Sequence, residues 1–176
     1  MRKVNHKEQF VAFLSGPGGT GKSQVINSVI RYCKILCNKA GIGFNKRTIT
    51  VTALTGAAAV SILGETTHGA CYLNSNLTTQ HITEWKDVKM IIIDEISFAS
   101  EKFLEKLNKY LNRLKETGND KRFGDIPVVF AGDFTQLEPV KAKPLFLNKE
   151  NHLWYKCVTT FIELKTNHRF KDDPEW

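Results

Sequence analysis

The chain has 176 residues, 41% of them hydrophobic, which is room for one ordinary domain with a sizeable core. Its longest apolar runs, such as residues 10–14, are far short of the roughly 20 residues that span a bilayer, and the charged N-terminus carries no apolar stretch ahead of a small-residue cleavage site, so neither a membrane span nor a secretion signal is expected. The formal net charge of +7 favours a polyanionic partner only mildly, because many basic proteins bind no nucleic acid.

In chain order, the first expected element is a strand over residues 10–14. It leads through Gly16, Pro17, Gly18, Gly19, Thr20 and Gly21 into a helix over 22–37, whose apolar stripe is Val25, Ile26, Val29, Ile30, Cys33 and Cys37. A second strand over 48–53 runs into Leu54, Thr55 and Gly56, and a third over 90–94 ends on Asp94 with Glu95 behind it. A helix is expected over 103–114, where Phe103, Leu104, Leu107, Tyr110, Leu111 and Leu114 recur at three- and four-residue steps. A fourth strand over 128–131 opens into Gly132 and Asp133, and a fifth over 161–164 into Lys165, Thr166, Asn167, His168 and Arg169. Strand and helix alternate without a linker or repeat, which predicts an α/β fold: one domain over residues 1–176 with a mainly parallel sheet covered by helices on both faces. Such sheets bind ligands beyond the carboxyl ends of their strands, so the polar segments after the five strands should share one edge. The four cysteines form no CxxC pair, which argues against a zinc site, and Cys33 and Cys37 are expected in the core.

The segment from Gly16 to Ser23 fits GxxxxGK[ST] between a strand and a helix, the context that makes it a phosphate-binding loop. Its glycines let backbone N–H groups surround a phosphate, and the helix N-terminus adds favourable partial charge. Lys22 would reach the β- and γ-phosphates, and the Ser23 hydroxyl would ligate Mg²⁺. A buried strand delivering Asp94 and Glu95 to the sheet edge needs a cation nearby, so Asp94 is expected to hold the metal and Glu95 to position and deprotonate the attacking water. Gln136, in the turn after the fourth strand, is placed to hydrogen-bond a γ-phosphate or that water. Arg169 carries a planar, always-charged guanidinium suited to a phosphoryl group developing charge.

Taken together, GPGGTGKS at 16–23, TALTGAAA at 52–59, GETTHGAC at 64–71, DEIS at 94–97, GDFTQLEPV at 132–140 and NHRF at 167–170 resemble, in order and over nearly the whole chain, the PIF-type DNA helicases of superfamily 1. The resemblance implies the first RecA-like ATPase domain of such a motor, with ATP and Mg²⁺ as cofactors and single-stranded DNA as partner. It implies translocation from 5′ to 3′, with roles in replication, repair, recombination and, in eukaryotes, telomere maintenance. It also implies DNA contacts at Thr55, Thr67 and His68, since hydroxyl and imidazole groups bond phosphate oxygens without reading sequence. An intracellular protein is expected, nuclear in a eukaryote and cytoplasmic otherwise. The family places an adenine-contacting glutamine well upstream of the phosphate loop, whereas Gln9 stands seven residues before Gly16 and is not expected to take that role. The family also continues into a second RecA-like domain, which the expectation for this chain leaves out. Two alternatives stand beside this reading: a small P-loop nucleotide kinase, against which the GDFTQLEPV segment argues, and a non-catalytic nucleic-acid-binding remnant.

Overall fold

In the computed structural model, which describes residues 9–136 and 143–166, six strands form one all-parallel sheet in the order β3-β2-β4-β5-β1-β6. The strands are β1 (Val11–Ser15), β2 (Ile49–Ala53), β3 (Glu65–Thr66), β4 (Met90–Asp94), β5 (Val128–Gly132) and β6 (Thr160–Glu163). Around them lie α1 (Lys22–Lys39), α2 (Gly56–Ser61), α3 (Thr67–Ala70), α4 (Thr79–Trp85), α5 (Glu101–Leu114) and α6 (His152–Tyr155). All five expected strands and both expected helices are present, with boundaries displaced by one or two residues. β3, α2, α3, α4 and α6 are additional to them.

β1 lies between β5 and β6, with Val11 opposite Val128, Ser15 opposite Gly132, and Ala12 opposite Thr160. β4 lies between β2 and β5, with Ala53 opposite Asp94 and Ile93 opposite Phe130. Because successive residues of a strand point to opposite faces, this register sorts the apolar side chains into two cores. Val11, Phe13, Ile91, Ile93, Val128 and Phe130 meet Trp85 of α4 and Leu104, Leu107, Leu111 and Leu114 of α5 on one face. On the other face Leu14, Ile92 and Ala131 meet Ile26 of α1. Cys33 is half-buried at the margin of that second core rather than within it, and Cys37 is half-buried one turn further along α1.

Local chemistry sets where the helices start. The Ser100 hydroxyl accepts from Phe103 N and caps α5, while Thr78 caps α4 in a reciprocal box with His81. Trp85 is fully buried, and its indole N–H donates to the Ala70 carbonyl at 3.0 Å, fastening α4 to α3. Among the described residues no helix is long and apolar enough to cross a membrane.

Since every strand runs the same way, all six carboxyl ends share one edge. The chain leaves β1 across β5 and β4 to reach β2, and later returns past β1 to form β6. The segment after β1 therefore sits where the strand order reverses, the usual ligand crevice of open parallel sheets.

Candidate functional site

The phosphate loop closes tightly over the end of β1. A β-carbon on Gly16 would come within 2.6 Å of the Thr20 hydroxyl and 2.9 Å of the Leu164 carbonyl, so only glycine fits there. Thr20 is buried, and its hydroxyl donates to the Pro17 carbonyl at 2.8 Å. Gly16, Pro17 and Thr20 thus shape the loop. Gly18, Gly19, Gly21, Lys22 and Ser23 line a cleft of about 490 Å³ together with Asp94, Glu95, Gln24 and Ser61. The Lys22 ammonium donates to the Gly16 carbonyl at 2.5 Å and lies 3.3 Å from that of Pro17, held at the mouth of the loop.

Gly132 joins the loop to the acidic side of the cleft. Its carbonyl accepts from Gly16 N at 3.3 Å, and a β-carbon on it would meet Ile96 N at 3.0 Å and Ser97 N at 3.3 Å. That close approach seats the single helical turn Ile96–Phe98 against β5 and so places Glu95. Glu95 has φ 57° and ψ 39°, a left-handed conformation that costs a non-glycine residue on the order of 1–3 kcal/mol and gathers at functional sites.

The carboxylates around Lys22 are driven apart in acidity. Burial raises the Asp94 carboxyl above its ordinary value, against the lowering effects of the Glu95 backbone N–H and Lys22. Burial also raises Glu95, assisted by the neighbouring charges of Asp94 and Asp133, with Lys22 opposing. Asp133 is buried as well, yet hydrogen bonds hold it below its ordinary value: Thr135 donates through its hydroxyl at 2.6 Å and its N–H at 2.9 Å. A carboxylate held ionised beside one whose proton affinity is raised is how a site assigns a fixed charge and a base. Gln136 is exposed on the same turn, and its amide nitrogen stands 3.5 Å from where a β-carbon of Gly18 would be, facing the loop.

Beyond this geometry, the family model for PIF1-like helicases matches residues 1–175. The chain belongs to the PIF1-like helicase family. It is 32% identical over 183 residues to the ATP-dependent DNA helicase RRM3 of Saccharomyces cerevisiae, covering 95% of this chain and 24% of that protein. It is 33% identical over 184 residues to the ATP-dependent DNA helicase PIF1 of Candida albicans, covering 92% of this chain and 19% of that protein. The chain therefore spans about a quarter or less of these curated relatives. The crystal structure of the Pif1 helicase from Candida albicans superposes with a TM-score of 0.74 at 31% identity, over 94% of this chain and 38% of that one. A Bacteroides Pif1 helicase in complex with ADP-AlF3 and ssDNA shares the fold, with a TM-score of 0.69 at 23% identity over 98% of this chain and 41% of that one.

In this PIF1-like chain the other sequence candidates fall out differently. Thr55 caps α2, its hydroxyl accepting from Ala58 N at 3.2 Å, and it remains half-exposed with the hydroxyl proton free to donate. His68 is exposed, its ring 5.6 Å from that of Phe103. Thr67 departs from expectation: its side chain is fully buried, with its hydroxyl 3.0 Å from that of Thr52 and 3.2 Å from the Ala53 carbonyl. Thr52 in turn donates to the Ile92 carbonyl at 3.0 Å, so Thr67 fastens α3 to the sheet and offers no hydroxyl to a strand. The Gln9 amide donates to the carbonyls of Arg122 and Ile126 at 2.7 Å each, beyond the amino ends of the strands and away from the cleft. Arg169 lies outside the described residues.

Sequence reasoning expected Asp133 at the sheet edge but gave no site role to it, nor to Gln24, Ser61 or Phe103. Asp133 carried a usable signal, an acid placed directly after a buried strand as Glu95 is. Ser61 and Phe103 carried none, because their positions depend on how α2 and α5 dock.

Proposed function

We propose that this chain is the ATP-hydrolysing half of a DNA helicase motor, binding ATP at the phosphate loop and single-stranded DNA along the same sheet edge. The observation that carries the reading is the convergence of Lys22, Ser23, Asp94 and Glu95 on one cleft above the ends of β1 and β4. Backbone N–H groups of the loop and the Lys22 ammonium bind the phosphates. Glu95, its proton affinity raised by burial, takes the proton of the water that attacks the γ-phosphate, yielding ADP and phosphate. The Gln136 amide orients that water or a γ-phosphate oxygen.

The residues suit a magnesium ion. Asp94 is buried with little to offset its charge, and Ser23 presents an exposed hydroxyl in the same cleft, so these two would hold the ion. Bound there, Mg²⁺ would neutralise phosphate charge. Thr55 and His68 are the strand contacts, suited to bonding phosphate oxygens without reading bases. Movement from 5′ to 3′ along the strand belongs to the same proposal, supported by the family resemblance. The test is ATP hydrolysis with and without single-stranded DNA: stimulation by the strand is expected, whereas stimulation by a nucleoside acceptor instead would favour a kinase and overturn the reading.

A further inference from the structure

The outward side of α5 carries Lys102, Lys106, Lys109 and Arg113 at steps of four, three and four, the spacing that lines residues along one helix face. Lys102, Lys109 and Arg113 are exposed and Lys106 half-exposed, and none of the four enters an ion pair among the described residues. The row covers roughly 16 Å of helix axis at 1.5 Å per residue. Like charges at i,i+4, as in Lys102 with Lys106 and Lys109 with Arg113, weaken a helix unless something neutralises them. Glu105 is the one acid between the ends of the row, and it makes no ion pair among the described residues.

Neighbouring contacts give the row a direction. Its upper end adjoins Phe103, whose ring is 5.6 Å from that of His68, the exposed strand-contact residue at the sheet edge. Further down, Lys106 donates to the Asn74 side chain and the Tyr110 hydroxyl to the Ser75 carbonyl at 3.3 Å, so the turn after α3 runs beside the row. The Arg113 guanidinium stands 6.0 Å from the Tyr110 ring centroid. The cations thus continue, down the flank of α5, a line that starts at His68.

We propose that this row is a second nucleic-acid track, on which the phosphate backbone of a DNA strand leaving the sheet edge at His68 is carried down the outer face of α5. The proposal rests on the strand-binding reading above. Lysine ammonium groups and the Arg113 fork bind phosphate oxygens without regard to base, which a moving strand requires. A short strand is held at the sheet edge alone, and a long one reaches both surfaces.

The test measures binding of short and long fluorescein-labelled oligothymidylates by anisotropy across a salt series. It uses the 176-residue chain, a variant with Lys102, Lys106, Lys109 and Arg113 all changed to Ala, and a charge-matched control with Arg31, Lys34, Lys39 and Lys46 changed to Ala. The control sites are exposed on α1 and the loop after it, so net charge alone is matched. Unchanged melting temperatures establish that each variant is folded. The α5 variant should lose affinity for the long strand by about tenfold or more at low salt. Its slope of log affinity against log salt should flatten by about 2 to 3, at roughly 0.7 for each phosphate that the protein no longer neutralises. Short-strand binding should change little, and the α1 control should behave as the parent. Equal long-strand binding and slope in the α5 variant and the control overturns the track and leaves the sheet-edge reading standing. No binding of either strand by the parent chain overturns both.

Discussion

Lys22 stands among three carboxylates, and removing it takes away the side-chain cation that the described residues place at the loop mouth. The Lys22→Ala variant is expected to bind Mg-ATP roughly 10- to 100-fold more weakly, the range set by charged hydrogen bonds of about 1.5–3 kcal/mol; calorimetric titration showing unchanged affinity would remove Lys22 from the phosphate site. Glu95→Gln should instead leave nucleotide binding nearly intact and suppress hydrolysis, because an amide holds water but does not take its proton. The same substitution has a pH signature. Burial raises both Asp94 and Glu95, so stability linked to these groups is complete below their ordinary range, near about pH 4, and is lost as pH rises through their raised values. Glu95→Gln should therefore melt at a higher temperature than the parent at pH 8, with the gap closing as pH falls towards about 4. A gap independent of pH in thermal scans would show that Glu95 is not held against its ionisation. At this scale the sequence was informative wherever a residue's place follows from its motif. The loop, Asp94 and Glu95 were all legible because their chemistry travels with spacing along the chain. Thr67 was not, since its burial depends on a hydroxyl chain through Thr52 to the neighbouring strand, a contact between segments far apart in sequence.

Elements tell the same story through length. The strands β1, β4 and β5 and the helices α1 and α5 are long enough for an apolar period to show, so they were legible to within a residue or two. β3 is two residues long and α2, α3 and α6 are four to six, too short to display a period. Their positions are set by docking and by caps such as Thr55 and Thr66. How elements touch decides the chemistry too, most clearly at Gly132, where β5, the phosphate loop and the turn bearing Glu95 meet. Gly132→Ala would press a β-carbon to 3.0 Å from Ile96 N and 3.2 Å from its side chain, so that turn must give by a few tenths of an ångström. The expected result is about a tenfold drop in turnover with nucleotide affinity nearly kept, since small misplacements of a reacting group act on the rate. Steady-state ATPase assays paired with nucleotide titrations check it, and an unchanged turnover would mean that the turn can shift without moving Glu95 out of reach.

For the molecule as a whole, the groups described at the cleft belong to a single sheet edge: the loop after β1, the acids after β4 and Ser61 at the end of α2 all lie on one lobe. In a two-lobed motor, nucleotide sits between the lobes, and closing and opening that cleft turns binding energy into movement along the strand. On the proposed reading, a polypeptide of these 176 residues, purified by itself, supplies one lobe to that cycle. It should bind nucleotide weakly and hydrolyse it slowly, because a single lobe brings no partner lobe to close on the phosphates and exclude water. Its hold on single-stranded DNA should be modest and fall steeply with salt, as expected for contacts made mainly to phosphates. It should not separate a duplex, since that takes force between two bodies that move relative to each other. The measurement is strand displacement on a forked duplex with a 5′ single-stranded tail, in the presence of ATP and Mg²⁺, with Lys22→Ala in parallel. No displacement by either protein is the expected outcome. Displacement that needs ATP and disappears in Lys22→Ala would mean that two copies of this lobe close on one another, and concentration dependence of the rate would then show how many copies assemble.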